Sequence, residues 1–110
     1  MAISDEFVEY VIDQLRAWQD VQVRKMFGGA GLYSAGVMFG LIADDVAYLK
    51  VDDANRQEYV QAGSAPFQPF PDKKKMIMTS YYEIPPGVLE DPAQLAEWAE
   101  RSLVVARKEK

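Results

Sequence analysis

The chain has 110 residues, 49% of them apolar and 26% charged, which suits one domain with a single two-layer core. Seventeen acidic against twelve basic residues leave a net charge of −5, a balance that argues against tight, sequence-independent binding to a polyanion such as DNA. Histidine and cysteine are both absent, which excludes Ser–His and Cys–His nucleophile pairs, imidazole bases, thiolate chemistry, disulfides and ordinary zinc sites.

Ser4 fits a helix N-cap, with Asp5 and Glu6 at the positive end of the helix that follows. Phe7, Val8, Val11, Ile12, Leu15 and Trp18 recur at helical spacing and predict one wide apolar face. After Asp20 the period changes, and VQVRKMF alternates as a half-buried strand does. AGLY, the turn SAG, VMFGLIA, the turn DD and VAYLKV then predict antiparallel hairpins. The runs beginning at Val37 and Val46 are apolar at nearly every position and belong in the middle of the sheet.

VDDANRQEYVQAG predicts a short helix capped by Asp52 or Asp53 and stopped at Gly63. The proline-punctuated SAPFQPFPD cannot be a central strand, although a second strand near Phe67 to Phe70 is allowed. MIMTSYYEI is a further strand. Asp91 and Pro92 then open a long helix, with Gln94 at the reciprocal capping position. Its inner face carries Leu95, Trp98, Ala99, Ser102, Leu103 and Ala106, and Arg107 and Lys108 suit its negative end. Trp18 and Trp98 are both expected to be substantially buried, joining the first and last helices to the sheet. The order α-β-β-β-β-α-β-α predicts a two-layer α+β domain with an antiparallel sheet, spanning residues 1–110. No apolar run is long enough to span a bilayer, and MAISDEF lacks the basic flank and apolar block of a signal peptide, so a cytoplasmic domain without membrane contact is expected.

Read in order, RKMFGGAGLY at 24–33, MFGLIADDVAYLKVD at 38–52, GSAPFQPF at 63–70, MTSYYEIPPGVLED at 78–91 and LAEWAERSL at 95–103 resemble the N-terminal domain of the TfoX/Sxy competence regulators of bacteria. The resemblance implies an α+β fold similar to the type III secretion chaperones and a role in regulating DNA uptake. The longer regulators carry a second, helical C-terminal domain, so a single-domain form is expected here. No catalytic residues follow from the resemblance.

Five of the seven glycines, Gly28, Gly29, Gly31, Gly36 and Gly40, fall within residues 24–42. A phosphate loop would require a helix N-terminus after them, but a strand pattern follows, so bends and close packing of a sheet are the expected use. Lys73, Lys74 and Lys75 form the one basic run, a solvated turn by expectation, with Arg24, Lys25 and Lys50 on neighbouring strands. Tyr81 and Tyr82, with Phe67, Phe70 and Tyr48, can be cross-strand partners or a base-stacking platform. Asp44, Asp45, Asp52 and Asp53 lack calcium-loop spacing and suit turns and caps.

Arg24, Lys25, Gly28, Gly29, Lys50, Tyr81 and Tyr82 are therefore the candidate ligand or partner contacts. A non-enzymatic regulatory or protein-interaction module without cofactor or metal is the leading expectation. The alternative is a small-molecule or nucleotide binder, or an enzyme with Glu83 or Tyr82 as base. Because three short helices cannot cover both faces of an apolar sheet, a homodimer is expected, with a regulatory protein partner as the other occupant and no tight nucleic-acid binding.

Overall fold

In the computed structural model, which describes residues 4–26, 28–68 and 78–109, Ser4 caps helix α1 (Asp5–Leu15) by accepting from the Phe7 N–H at 3.1 Å. Strands β1 (Gln22–Met26), β2 (Gly29–Ser34), β3 (Val37–Ala43) and β4 (Val46–Lys50) follow as antiparallel hairpins. Two-residue turns join the later three. Ala35 and Gly36 carry φ of 50° and 82°, Asp44 and Asp45 of 53° and 56°. These positive angles match the strand twist, and aspartate tolerates them better than most residues. Asp45 Oδ1 also accepts from the Ser4 N–H at 2.7 Å, joining the β3–β4 turn to the start of α1.

Helix α2 (Arg56–Gln61) begins later than the sequence pattern implies. Asp52 Oδ1 accepts from the Ala54 N–H, and Asn55 holds the N-cap position without a side-chain cap. The acidic pair thus serves the turn before the helix. Strands β5 (Pro66–Phe67) and β6 (Met78–Glu83) complete a six-stranded sheet in the order β1-β2-β3-β4-β6-β5. The one-turn helix α3 (Pro86–Leu89) and the long α4 (Pro92–Lys108) end the chain. The α+β order is the expected one, with β5 at the strand allowed near Phe67 and α3 added, and β3 and β4 lie in mid-sheet as their apolar runs require.

One detail explains why β3 is apolar at consecutive positions. Leu32 pairs with Gly40 but Tyr33 pairs with Met38, so Phe39 is an extra residue on β3. Such a bulge puts Phe39 and Gly40 on the same face. That face is the helix-covered one, where Phe39 is fully buried. A Cβ on Gly40 would lie 2.7 Å from the Tyr48 carbonyl oxygen, so only glycine fits there.

Helix α4 lies across β3 and β4, and its capping Asp91 accepts from the Ala93 N–H at 3.1 Å. Leu95, Trp98, Ala99, Ser102, Leu103 and Ala106 are all buried, as the helical spacing predicts. They meet Val11 and Leu15 of α1, Leu32, Ile42 and Leu49 of the sheet, and Tyr59 of α2 in one core. Trp98 stands edge-on to Tyr59 with ring centroids 4.7 Å apart.

Trp18 packs against the core, as expected, but from beyond the helix rather than from the helix's own face. It lies beyond the end of α1, where the Trp18 and Gln19 N–H groups both donate to the Leu15 carbonyl, and it is half-buried. Its ring still meets Phe39 edge-on at 5.2 Å, while its indole N–H donates to Glu100 on α4 at 3.0 Å. A tryptophan with one polar atom reaches its partner best from such a rim position. Trp98 is the more deeply buried of the two tryptophans, and Trp98→Ala should cost about 3–5 kcal/mol in denaturant unfolding. A loss under about 1 kcal/mol would contradict the burial of Trp98.

Candidate functional site

The register sorts the candidate residues onto two faces. Arg24, Gly31, Leu41, Tyr48 and Glu83 form one row across β1, β2, β3, β4 and β6. Lys25, Ala30, Ile42 and Ala47 form the neighbouring row on the opposite, helix-covered face. Side chains alternate along a strand, so the adjacent pairs Arg24–Lys25 and Tyr81–Tyr82 must each split between faces. Lys25 points to the helix side and pairs with Asp5 at 3.3 Å. Tyr82 is buried in the core with its ring 5.8 Å from that of Tyr59. Arg24, Lys50 and Tyr81 share the outer face.

Gly28 and Gly29 close the β1–β2 hairpin, with Met26 paired to Gly29. A Cβ on Gly29 would lie 2.5 Å from the Ile42 carbonyl oxygen, a close approach of β2 to β3. No helix starts there, so the segment lacks the aligned N–H groups of a phosphate loop. The glycine stretch builds the sheet.

The outer face has its own apolar cluster. Ala43, Phe67 and Tyr81 are buried, and half-buried Met38, Leu41 and Tyr48 pack against them. The Tyr48 and Phe67 rings lie 4.8 Å apart. Two cations border this floor, each held over an aromatic ring. The Arg24 guanidinium lies 5.1 Å from the Tyr33 ring centroid, and the Lys50 ammonium 5.0 Å from that of Tyr81. Lys50 also reaches Glu109, at the end of α4, at 3.0 Å. Tyr33 and Met38 belong to no charged or aromatic-cluster motif; their signal in the sequence is strand alternation alone.

Electrostatics follow burial. Burial raises the Tyr48 phenol above its ordinary value, helped by the carboxylates of Glu83 and Asp44. The Tyr81 phenol is raised by burial, then by Glu109 and Tyr33. Neither phenol is thus prepared to act as a base near neutral pH. Glu83 and Tyr82, the two candidate bases, lie on opposite faces and do not converge. A shallow cavity of about 170 Å³ lies beside α4, lined by Asn55, Glu100, Arg101 and Val104 among others. Drug-sized ligand sites begin at about 300 Å³. Two of its charged groups are already engaged, Arg101 with Glu58 and Glu100 with Trp18.

The four aspartates have structural work. Asp44 and Asp45 form a turn, Asp52 accepts from a backbone N–H, and Asp53 pairs with Arg56. Among the described residues no group of three or more acidic side chains gathers as a metal site. Lys73, Lys74, Lys75 and Phe70 lie outside the described residues. Among those described, no helix is long and apolar enough to cross a membrane.

A family model for the TfoX N-terminal domain matches residues 13–106, and the chain belongs to that family. No curated protein matches the chain.

The raised phenols set an alkaline limit on stability. Tyr59, fully buried in the core, is raised most, by burial and by Glu58, with Ser102 and Arg101 opposing. Its hydroxyl makes no hydrogen bond of good geometry. A folded-state pKa above the unfolded value near 10 means that the contribution is complete below about pH 10 and lost as pH rises through the folded values. Unfolding free energy should therefore be flat with respect to these phenols at neutral pH and fall above about pH 10. Tyr59→Phe should flatten that fall and, by removing an unpaired hydroxyl, raise stability at neutral pH by about 1 kcal/mol. Denaturant titrations of both proteins across the alkaline range provide the check.

Proposed function

We propose that this TfoX N-terminal domain is a non-enzymatic protein-interaction module whose working surface is the outer face of its sheet. The observation that carries the reading is the asymmetry of cover. The helices pack on one face, while Met38, Leu41 and Tyr48 stay half-buried on the other. Apolar surface of this kind marks an interface more often than a bare monomer surface. The resemblance to competence regulators supports a regulatory setting for that interaction.

The first occupant proposed is a second copy of the chain, since two-fold association is the commonest way to cover such a face. Light scattering at micromolar concentration should give a dimer mass. Leu41→Asp should yield a monomer with an unchanged far-UV spectrum, because Leu41 lies in mid-sheet on the outer face. A monomer mass for the unaltered protein would overturn the self-association.

Double-stranded DNA fits this surface poorly. Lys50 is already held against a ring and a carboxylate, and the net charge is −5. Titrations at two salt concentrations should find no submicromolar affinity. Tight binding that falls steeply with added salt would refute this.

A further inference from the structure

Strand β1 is an edge of the sheet, and among the described residues no strand pairs with its outer side. Which of its backbone groups face outward follows from the hairpin. Ser34 and Val37 flank the two-residue turn Ala35–Gly36, so Ser34 directs its backbone groups to β3. Directions alternate along β2, so Gly29, Gly31 and Tyr33 direct theirs to β1 and form hydrogen-bonded pairs with Met26, Arg24 and Gln22. Gln22, Arg24 and Met26 therefore direct their N–H and C=O groups to β2. Val23 and Lys25 direct theirs away from the sheet.

The side chains at this edge are cationic on both faces. Arg24 is exposed on the outer face and Lys25 on the helix side. The pair that Lys25 forms with Asp5 leaves both side chains largely exposed, at 70% and 85%, so it is readily exchanged for another carboxylate. An incoming strand would set successive residues opposite Arg24 and Lys25, one on each face.

We propose that this edge binds an extended acidic segment of a partner protein, which adds beside β1 by backbone hydrogen bonds to Val23 and Lys25. The proposal rests on the interaction-module reading and names a second contact and its chemistry. Charge decides the occupant. In a two-fold pairing of β1 with itself, the register that uses both outward residues sets Arg24 opposite its own copy. The register centred on Lys25 sets two lysines together. Like charges directly opposite destabilise strand pairing, so both registers that pair Lys25 within β1 disfavour a second copy. Two adjacent carboxylates on an extended segment instead meet one cation on each face.

The test is a titration of the isotope-labelled full chain, followed by NMR. The probe is the capped peptide Thr-Val-Glu-Glu-Val-Thr, with Thr-Val-Lys-Lys-Val-Thr for comparison. The acidic peptide should shift the Val23 and Lys25 amides and slow their exchange, and the lysine peptide should bind at least about tenfold more weakly. Lys25→Pro removes one outward N–H and one charge at a position where an edge strand tolerates proline, and it should abolish the protection. The double variant R24E/K25E keeps the backbone and should reverse the preference between peptides, so a misfolded proline variant leaves the test intact. Equal affinity for both peptides, no binding at millimolar peptide, or shifts confined to Leu41 and Tyr48 would each overturn the edge proposal. The last outcome leaves the outer-face reading standing, whereas that reading's self-association is judged separately by the mass measurement.

Discussion

A single carbonyl, that of Lys50 at the end of β4, accepts from the Ser102 hydroxyl of α4 at 2.8 Å and from the Asn55 side-chain amide at 3.1 Å. Three elements meet there: a central strand, the long helix and the turn that opens α2. Ser102 and Asn55 are both buried, so each of these bonds removes a polar group that would otherwise stand unpaired in the core. The Lys50 side chain leaves in the other direction, over Tyr81, to reach Glu109 just past α4. One residue thus fixes where α4 lies on the sheet and ties the end of that helix to the outer face. The remaining packing depends on this placement, since α4 contacts β3, β4, α1 and α3.

With α4 so placed, the backbone has to approach the helix layer evenly, and the bulge at Phe39 makes this possible. It turns two successive β3 residues to the same side: a large ring that fills the space beneath Trp18, and a glycine small enough for the neighbouring backbone. The consequence on the other side is a frame shift. Met38 and Leu41 reach the outer face although they are three residues apart, and they join the same cluster. Core packing therefore shapes the outer floor, through a change of register rather than a direct contact.

Much of this was legible in the sequence because it depends on local chemistry. Ser4 and Asp91–Pro92 mark helix starts by the backbone N–H groups they satisfy or omit, and both lie where their types indicate. The central position of β3 and β4 followed from their unbroken apolar runs. The candidate site was legible only in part. A seven-residue set containing the neighbours Arg24–Lys25 and Tyr81–Tyr82 could never converge once both pairs lay on strands. Alternation already said so, although it could not say which member faced out. That depended on the bulge and the strand order, which arise from contacts distant in sequence. The half-buried rim position of Trp18 was hidden for a similar reason: its hydrogen bond reaches Glu100, 82 residues away.

Face and edge differ in how their charges are held, and this difference favours different contacts. On the outer face the Lys50 side chain, only 14% exposed, already lies against a ring and a carboxylate, so an apolar partner could cover it without stranding a bare charge. Arg24 is stacked on Tyr33 but remains exposed at the border. Lys25, on the far side of the same strand, meets the exposed, solvent-screened carboxylate of Asp5. The charge environment thus changes from satisfied to available on going from mid-sheet to β1. An apolar surface suits the middle, where its contacts require no unpaired ions. A segment carrying its own carboxylates suits the edge, where open backbone groups supply the affinity and two cations select the partner.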